Sequence, residues 1–290
     1  MKNINLKENK LMIFLFVMIL TILTVLLIFF IGSISNNTNS YKNSVKEDLK
    51  LLYSDYDKNI VRSDVTRIEY NNIKIKYHDL KDKELIDKIN NIDNYLKEKE
   101  IASAWTKLNI KYISQNENKV LNGCEAACLL MSLQYKGYLK NMNLYNYSDK
   151  MPKSDDPNKG FYLDIFKKEP KDKSHWIAPK PLRDYGITSS NYYNIFDGTG
   201  YSLDDLDNEV KNGNPVIIYL TSQFEEPKDY YKGVPKNLHV QLLAGYNEIT
   251  KEQFIIDPWK YKKKSSYWIR PKKEIEKIYN ELGKRAVIVR

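Results

Sequence analysis

Cysteine and histidine are scarce: the chain of 290 residues holds two of the first and three of the second. Cys124 and Cys128, one helical turn apart, cannot make the disulfide framework of a small secreted domain, so an exported fold must rest on its core alone. That pair and the scattered His78, His175 and His239 give no zinc-ligand spacing, and nothing in the sequence asks for a metal or another cofactor. No glycine-rich phosphate loop, internal repeat or low-complexity tract is present. Nucleotide-binding, collagen-like and solenoid classes are thereby set aside.

One apolar run stands out. Leu11 to Ile31, "LMIFLFVMILTILTVLLIFFI", carries no charge and only Thr21 and Thr24 as polar interruptions. At ~1.5 Å per residue it reaches about 30 Å, the hydrocarbon thickness of a bilayer. A cleavable signal peptide competes with a signal anchor here. Its apolar core is shorter, roughly 7–15 residues, and Gly32, Ser33 and Ser35 make a poor cleavage site, which favours the anchor. Lys2, Lys7 and Lys10 precede the run and the next lysine is Lys42. Residues 1–10 are therefore expected in the cytoplasm, 11–31 in the membrane and the remainder outside, or secreted if the anchor is cut. The net charge of +9 suits an anionic neighbour such as a wall polymer or lipid head groups. Lysines spread along an exported chain argue against nucleic acid. A general abundance of Lys, Asn, Ile and Tyr would account for the same charge.

Past the anchor, "GSISNNTNS" reads as a flexible link, and 41–60 as helical, with Val45, Leu49, Leu52 and Tyr53 near one face. "VTRIEYNNIKIKYHDL" alternates in places and predicts a strand or hairpin. "DKELIDKINNIDNYLKEKEIA" predicts an amphipathic helix with Leu85, Ile89, Ile92 and Leu96 on one stripe. Residues 32–104 thus form a small α/β juxtamembrane stalk without a catalytic constellation, and His78 there is a surface or strand residue. Residues 105–290 differ in texture. "WTKLNIKYISQ" predicts a strand, then a cysteine-bearing helix, then a loop-rich stretch over 138–200 punctuated by proline and glycine. Ser202 and Asp205 open a helix that Gly213 ends, and "PVIIYL" is a buried strand. "HVQLLAGYN" and "QFIIDPW" are two more strands, and a helix closed by Gly283 leads to a last one. An early helix followed by strands fits an α+β domain with the helix packed on a sheet.

Chemistry gathers at "NGCEAACLLMSLQYKG". Asn122 and Gly123 form a turn or cap, so Cys124 sits in the first turn of a largely buried helix. Unpaired N–H groups and the positive end of the dipole there favour thiolate and can hold an oxyanion. Cys128, one turn on, is a small core residue. A thiolate needs an imidazole. His239 opens a buried strand and is well fixed; His175, in a proline-rich loop, is the reserve. Asp257, at the end of the next strand, can orient the imidazole, and Gln115, before the helix, can supply a second oxyanion donor.

"ISQNENKVLNGCEAACLLMSLQYKG" resembles the nucleophile motif of the double-glycine-leader (bacteriocin-processing) cysteine peptidase-like family, in its stand-alone bacterial branch. The similarity continues through "DPNKGF", "APKPLRDYGI", "LDNEVKNGNPVIIYLT", "HVQLLAGYN" and "FIIDPW", over roughly residues 108–268. It implies a papain-like cysteine peptidase fold in which Cys124 is nucleophile, His239 base, Asp257 orienter and Gln115 oxyanion donor. Cys128 stands where such proteins often have serine, and the insert between Gln115 and Cys124 is longer than in transporter-linked relatives. Glu125 matches the stand-alone branch, with no role assigned to it. The expectation is a membrane-anchored extracellular cysteine peptidase acting on a peptide or protein substrate. An acyl transferase using the same triad, or a silent surface module with a tyrosine-rich basic face, are the alternatives.

Overall fold

The computed structural model describes residues 6–167, 173–259 and 266–290, with no side chains described at 6–11 and 34–37. Lys2 and the side chains of Lys7 and Lys10 thus lie outside the described residues. Two compact units form, residues 1–100 and 101–290.

The first unit opens with α1 (Leu6–Lys50). The stretch expected as a flexible link is helical and continuous with the apolar run; its Ser, Asn and Thr are weak helix formers, but it contains no proline to break a helix already running on both sides of it. Every large apolar side chain from Met12 to Ile31 is exposed, and among the described residues α1 is the one helix long and apolar enough to cross a membrane. The helix stops at Lys50, short of the expected end, and a small hairpin follows, β1 (Tyr53–Asp55) and β2 (Ile60–Val61). The alternating stretch expected as a strand is α2 (Arg67–Lys76) instead. A Thr66–Glu69 capping box fixes its start, and Tyr70, Ile73 and Tyr77 bury one helical face. α3 (Lys83–Ser103) buries the expected stripe of Leu85, Ile89, Ile92 and Leu96 against Val45, Leu49 and the α2 face. His78 is exposed beside Asp79.

The second unit runs β3 (Trp105–Lys107), α4 (Cys124–Tyr135), α5 (Leu144–Asp149), α6 (Pro179–Ser190), β4 (Ile195–Asp197), α7 (Leu203–Lys211) and β5 (Val216–Thr221). A short hairpin, β6 (Tyr230–Tyr231) and β7 (Val234–Pro235), precedes β8 (Leu238–Asn247) and β9 (Glu252–Ile256). Then come β10 (Tyr267–Pro271), α8 (Lys272–Glu281) and β11 (Ala286–Val289). The main sheet is antiparallel, ordered β10-β9-β8-β5-β11-β4, with β3 paired to the far half of β8. β5 and most of β8 are buried on both faces, which explains their unbroken apolar sequences.

β3 is shorter than expected. After Lys107 the chain leaves the ladder, so Gln115 lies in a turn and not at a strand end. The supposed loop region holds α5 and α6. Pro179 and Pro181 start α6, where their missing N–H groups cost nothing, and Asn191 ends it in the left-handed region at φ 56°. α4 lies against β8 and β5, and Leu129, Leu130 and Leu133 are fully buried there. Truncating any one of them to alanine would cost about 2–5 kcal/mol, so this helix is fixed by its own core.

Candidate active site

The β8–β9 register sets the geometry. Leu242 pairs with Ile256, the last residue of β9. Continuing that register brings Asp257 alongside Gln241, two positions from His239 and on the same sheet face. His239 Nε2 lies 2.7 Å from Asp257 Oδ1, and both side chains are buried. Oδ1 also accepts the Trp259 N–H at 3.0 Å, and Oδ2 accepts the indole N–H of Trp268 at 2.9 Å. Burial alone would raise the Asp257 carboxyl. The hydrogen bond and charge of His239, with the Trp268 and Trp259 donors, outweigh it and hold the pKa at about 2. An ionised carboxylate only accepts, so Nε2 carries the proton and Nδ1 is the nitrogen left for another partner.

The turn after β9 is pinned from the other side. Gln115 N–H donates to the Pro258 carbonyl at 2.9 Å, the Asn116 amide donates to the Trp259 carbonyl, and the Tyr112 hydroxyl donates to the Asp257 carbonyl at 3.1 Å. Gln115 is therefore joined to the Asp257 turn. Its side-chain Nε2 donates to the Leu121 carbonyl at 3.0 Å, in the loop that leads into α4, while its Oε1 is buried with no hydrogen-bond partner. Asn122 anchors that loop to the Asp164, Ile165 and Lys167 carbonyls. Gly123 closes it against Val120: a Cβ at Gly123 would sit 2.4 Å from Val120 Cγ1.

Cys124 is the first residue of α4 and is half-buried. Its sulfur meets the N–H of Val240, the residue after His239, and Cys128, one helical turn on, gives its thiol to the Val240 carbonyl at 3.7 Å. The helix start alone predicts a thiolate. In the structure, burial first and then the Glu125 carboxyl push the Cys124 thiol up, and only the Val240 N–H pulls the other way. A thiolate here therefore needs a further positive partner. Glu125 is completely buried, accepts the Cys124 thiol at Oε2 (3.1 Å) and the Ile177 N–H at Oε1 (3.3 Å), and is pushed by burial up to about 7.

His175 is elsewhere, its Nδ1 3.3 Å from the Asp164 carbonyl. Among the described residues no group of three or more His, Cys, Asp or Glu could hold a metal. A groove of about 950 Å³ lined by Leu108, Ile110, Tyr112, Phe254, Ile256 and Tyr267 opens beside the Asp257 turn. Sequence reasoning missed Trp268, whose strand β10 carries no clear pattern, and the main chain of Val240, which no side-chain motif can reveal.

A helix with a thiol at its start, set on an antiparallel sheet whose strands bring histidine and aspartate together, is the architecture of the papain-like cysteine peptidases. Residues 107–287 match the Peptidase_C39 like family, and the chain belongs to it. It is 24% identical to the uncharacterized protein YvpB of Bacillus subtilis (strain 168) over 195 residues, 62% of this chain and 74% of that one. A crystal structure from Bacillus anthracis, described as a C39-like peptidase, superposes with a TM-score of 0.54 at 24% identity, covering 63% of this chain and 96% of that one. The C39-like fold is thus shared. The family and fold are those of peptidases, whose substrates are peptides or proteins.

Proposed function

We propose that the chain is a membrane-anchored cysteine peptidase acting outside the cell, with Cys124 as nucleophile, His239 as acid and base, Asp257 as its orienter and Gln115 as an oxyanion donor. The observation that carries this reading is the buried 2.7 Å pair of His239 and Asp257, with the Cys124 sulfur against the amide of the next residue, Val240. The carboxylate fixes the imidazole tautomer and leaves Nδ1 for the thiol proton. Transfer of that proton gives thiolate and imidazolium, and the sulfur attacks the scissile carbonyl. In this reading the Cys124 N–H, without an intrahelical acceptor at the helix start, and the second Nε2 hydrogen of Gln115, whose first goes to the Leu121 carbonyl, donate to the developing oxyanion. Imidazolium protonates the departing amine, leaving an acyl-thioester. Water then attacks with His239 as base, releasing the acid and restoring the thiolate–imidazolium pair.

The membrane part of the reading rests on the exposed apolar face of α1 and on the lysines that precede it. The test is a thiol-directed activity probe applied to the full-length protein. Labelling should vanish in Cys124→Ala and fall by about 10²–10⁴-fold in His239→Ala. Equal labelling of the wild type and Cys124→Ala removes the assignment.

A further inference from the structure

Glu125, next to the candidate nucleophile, is a buried ionisable group that the peptidase reading leaves without work. Its carboxyl is fully buried, and among the described residues no Lys, Arg or His nitrogen forms an ion pair with it. Its contacts are weak for a carboxylate: the Ile177 N–H at 3.3 Å, the Cys124 thiol at 3.1 Å and its own main-chain N–H. A buried carboxylate held so sparsely carries a desolvation cost that its partners do not offset, so its neutral form is the cheaper one in this pocket.

The Cys124–Glu125 contact can run in two directions. A carboxylate has no proton to give, so against it the sulfur must stay a thiol and donate. A neutral carboxyl has an O–H, and against it the sulfur can be a thiolate and accept. The peptidase reading requires the thiolate. Two adjacent buried anions would repel strongly at this distance, so thiolate and Glu125 carboxylate exclude each other. We propose that Glu125 acts in its neutral form as a positioning residue that donates its carboxyl O–H to the Cys124 thiolate, and that when Glu125 loses this proton to solvent the His239 imidazolium hands its own proton back to the sulfur, leaving carboxylate, inert thiol and neutral imidazole. The inference rests on Cys124 being the nucleophile.

The groups facing Glu125 decide how the switch titrates. From α4 these are Cys124 and Cys128, and from β8 His239, whose positive charge favours the ionised carboxyl. From β5 comes Tyr219, fully buried, with its hydroxyl donated to the Ile177 carbonyl at 2.6 Å. Arg285 stands behind Tyr219 and over Trp176. The segment before α6 contributes only the Ile177 N–H. Burial, the largest effect, sets the carboxyl at about 7, so the changeover falls where exported proteins work.

The experiment follows Cys124 alkylation by iodoacetamide against pH on the full-length chain, with Cys124→Ala giving the background from Cys128. In the wild type the rate should fall above neutrality, by about tenfold one pH unit past the titration. Glu125→Gln keeps an N–H donor to the sulfur and cannot ionise, so its rate should show no such fall. A wild-type rate that only rises with pH, as for a free thiol, overturns the role of Glu125 without any variant. So does a fall that persists unchanged in Glu125→Gln. Wild-type labelling no greater than the Cys124→Ala background at every pH has a different meaning: it overturns the nucleophile assignment and this inference with it.

Discussion

At the scale of single residues, Asp257 does two jobs. It holds His239 and ties Trp268 and Trp259 to the same turn. Its pKa is lowered, so the stability it contributes is complete above the ordinary carboxylate range and drains away as pH falls toward about 2. At neutral pH the contribution is about 2–3 kcal/mol. Urea midpoints measured at falling pH should therefore decline more steeply for the wild type than for Asp257→Asn. Parallel slopes would show that the carboxylate is not held as described. The carboxyl of Glu125 runs the opposite way. Raised to about 7, it makes the native state bind more protons than the unfolded chain from its ordinary range up to neutrality, so stability declines as pH rises across that window.

Among elements, α4 is positioned by close approach at its start. Gly123 has φ −100°, which any residue tolerates, so its smallness serves space and not backbone freedom. Gly123→Ala must displace Val120. The expected cost is about 1–3 kcal/mol, together with slower labelling of Cys124, because the helix start moves with the loop. Unchanged stability and labelling would mean the loop yields freely. The same elements show what could be read in advance. The capping box of α7, the buried strand β5 and the cysteine at the head of α4 were legible because local pattern and tertiary burial agree there. α2 was not: Ile73 and Ile75 alternate with lysines and imitate a strand, while the deciding Thr66–Glu69 cap lies at the edge of the pattern. α6 was hidden by its own prolines, which break helices elsewhere and start this one. At the candidate site, the meeting of His239 and Asp257 was readable from the strand pattern. Their supports, Trp268 and the main chain of Val240, depend on strand pairing across distant segments and were not.

For the whole molecule, each unit has its own buried core, and the apolar stretch of α1 belongs to neither. The full chain should stay with membranes after an alkaline carbonate wash, and a chain beginning at Gly32 should be released. Equal release of both forms would end the anchor reading. The chain has only two cysteines, and the second is sealed beneath β8 against the Val240 carbonyl. Redox chemistry follows from that arrangement. Once peroxide converts the sulfur at the head of α4 to a sulfenic acid, no resolving thiol within reach can capture it as an internal disulfide. Oxidation then continues to the sulfinic acid, so rescue by a small external reductant has to come at the first step or not at all.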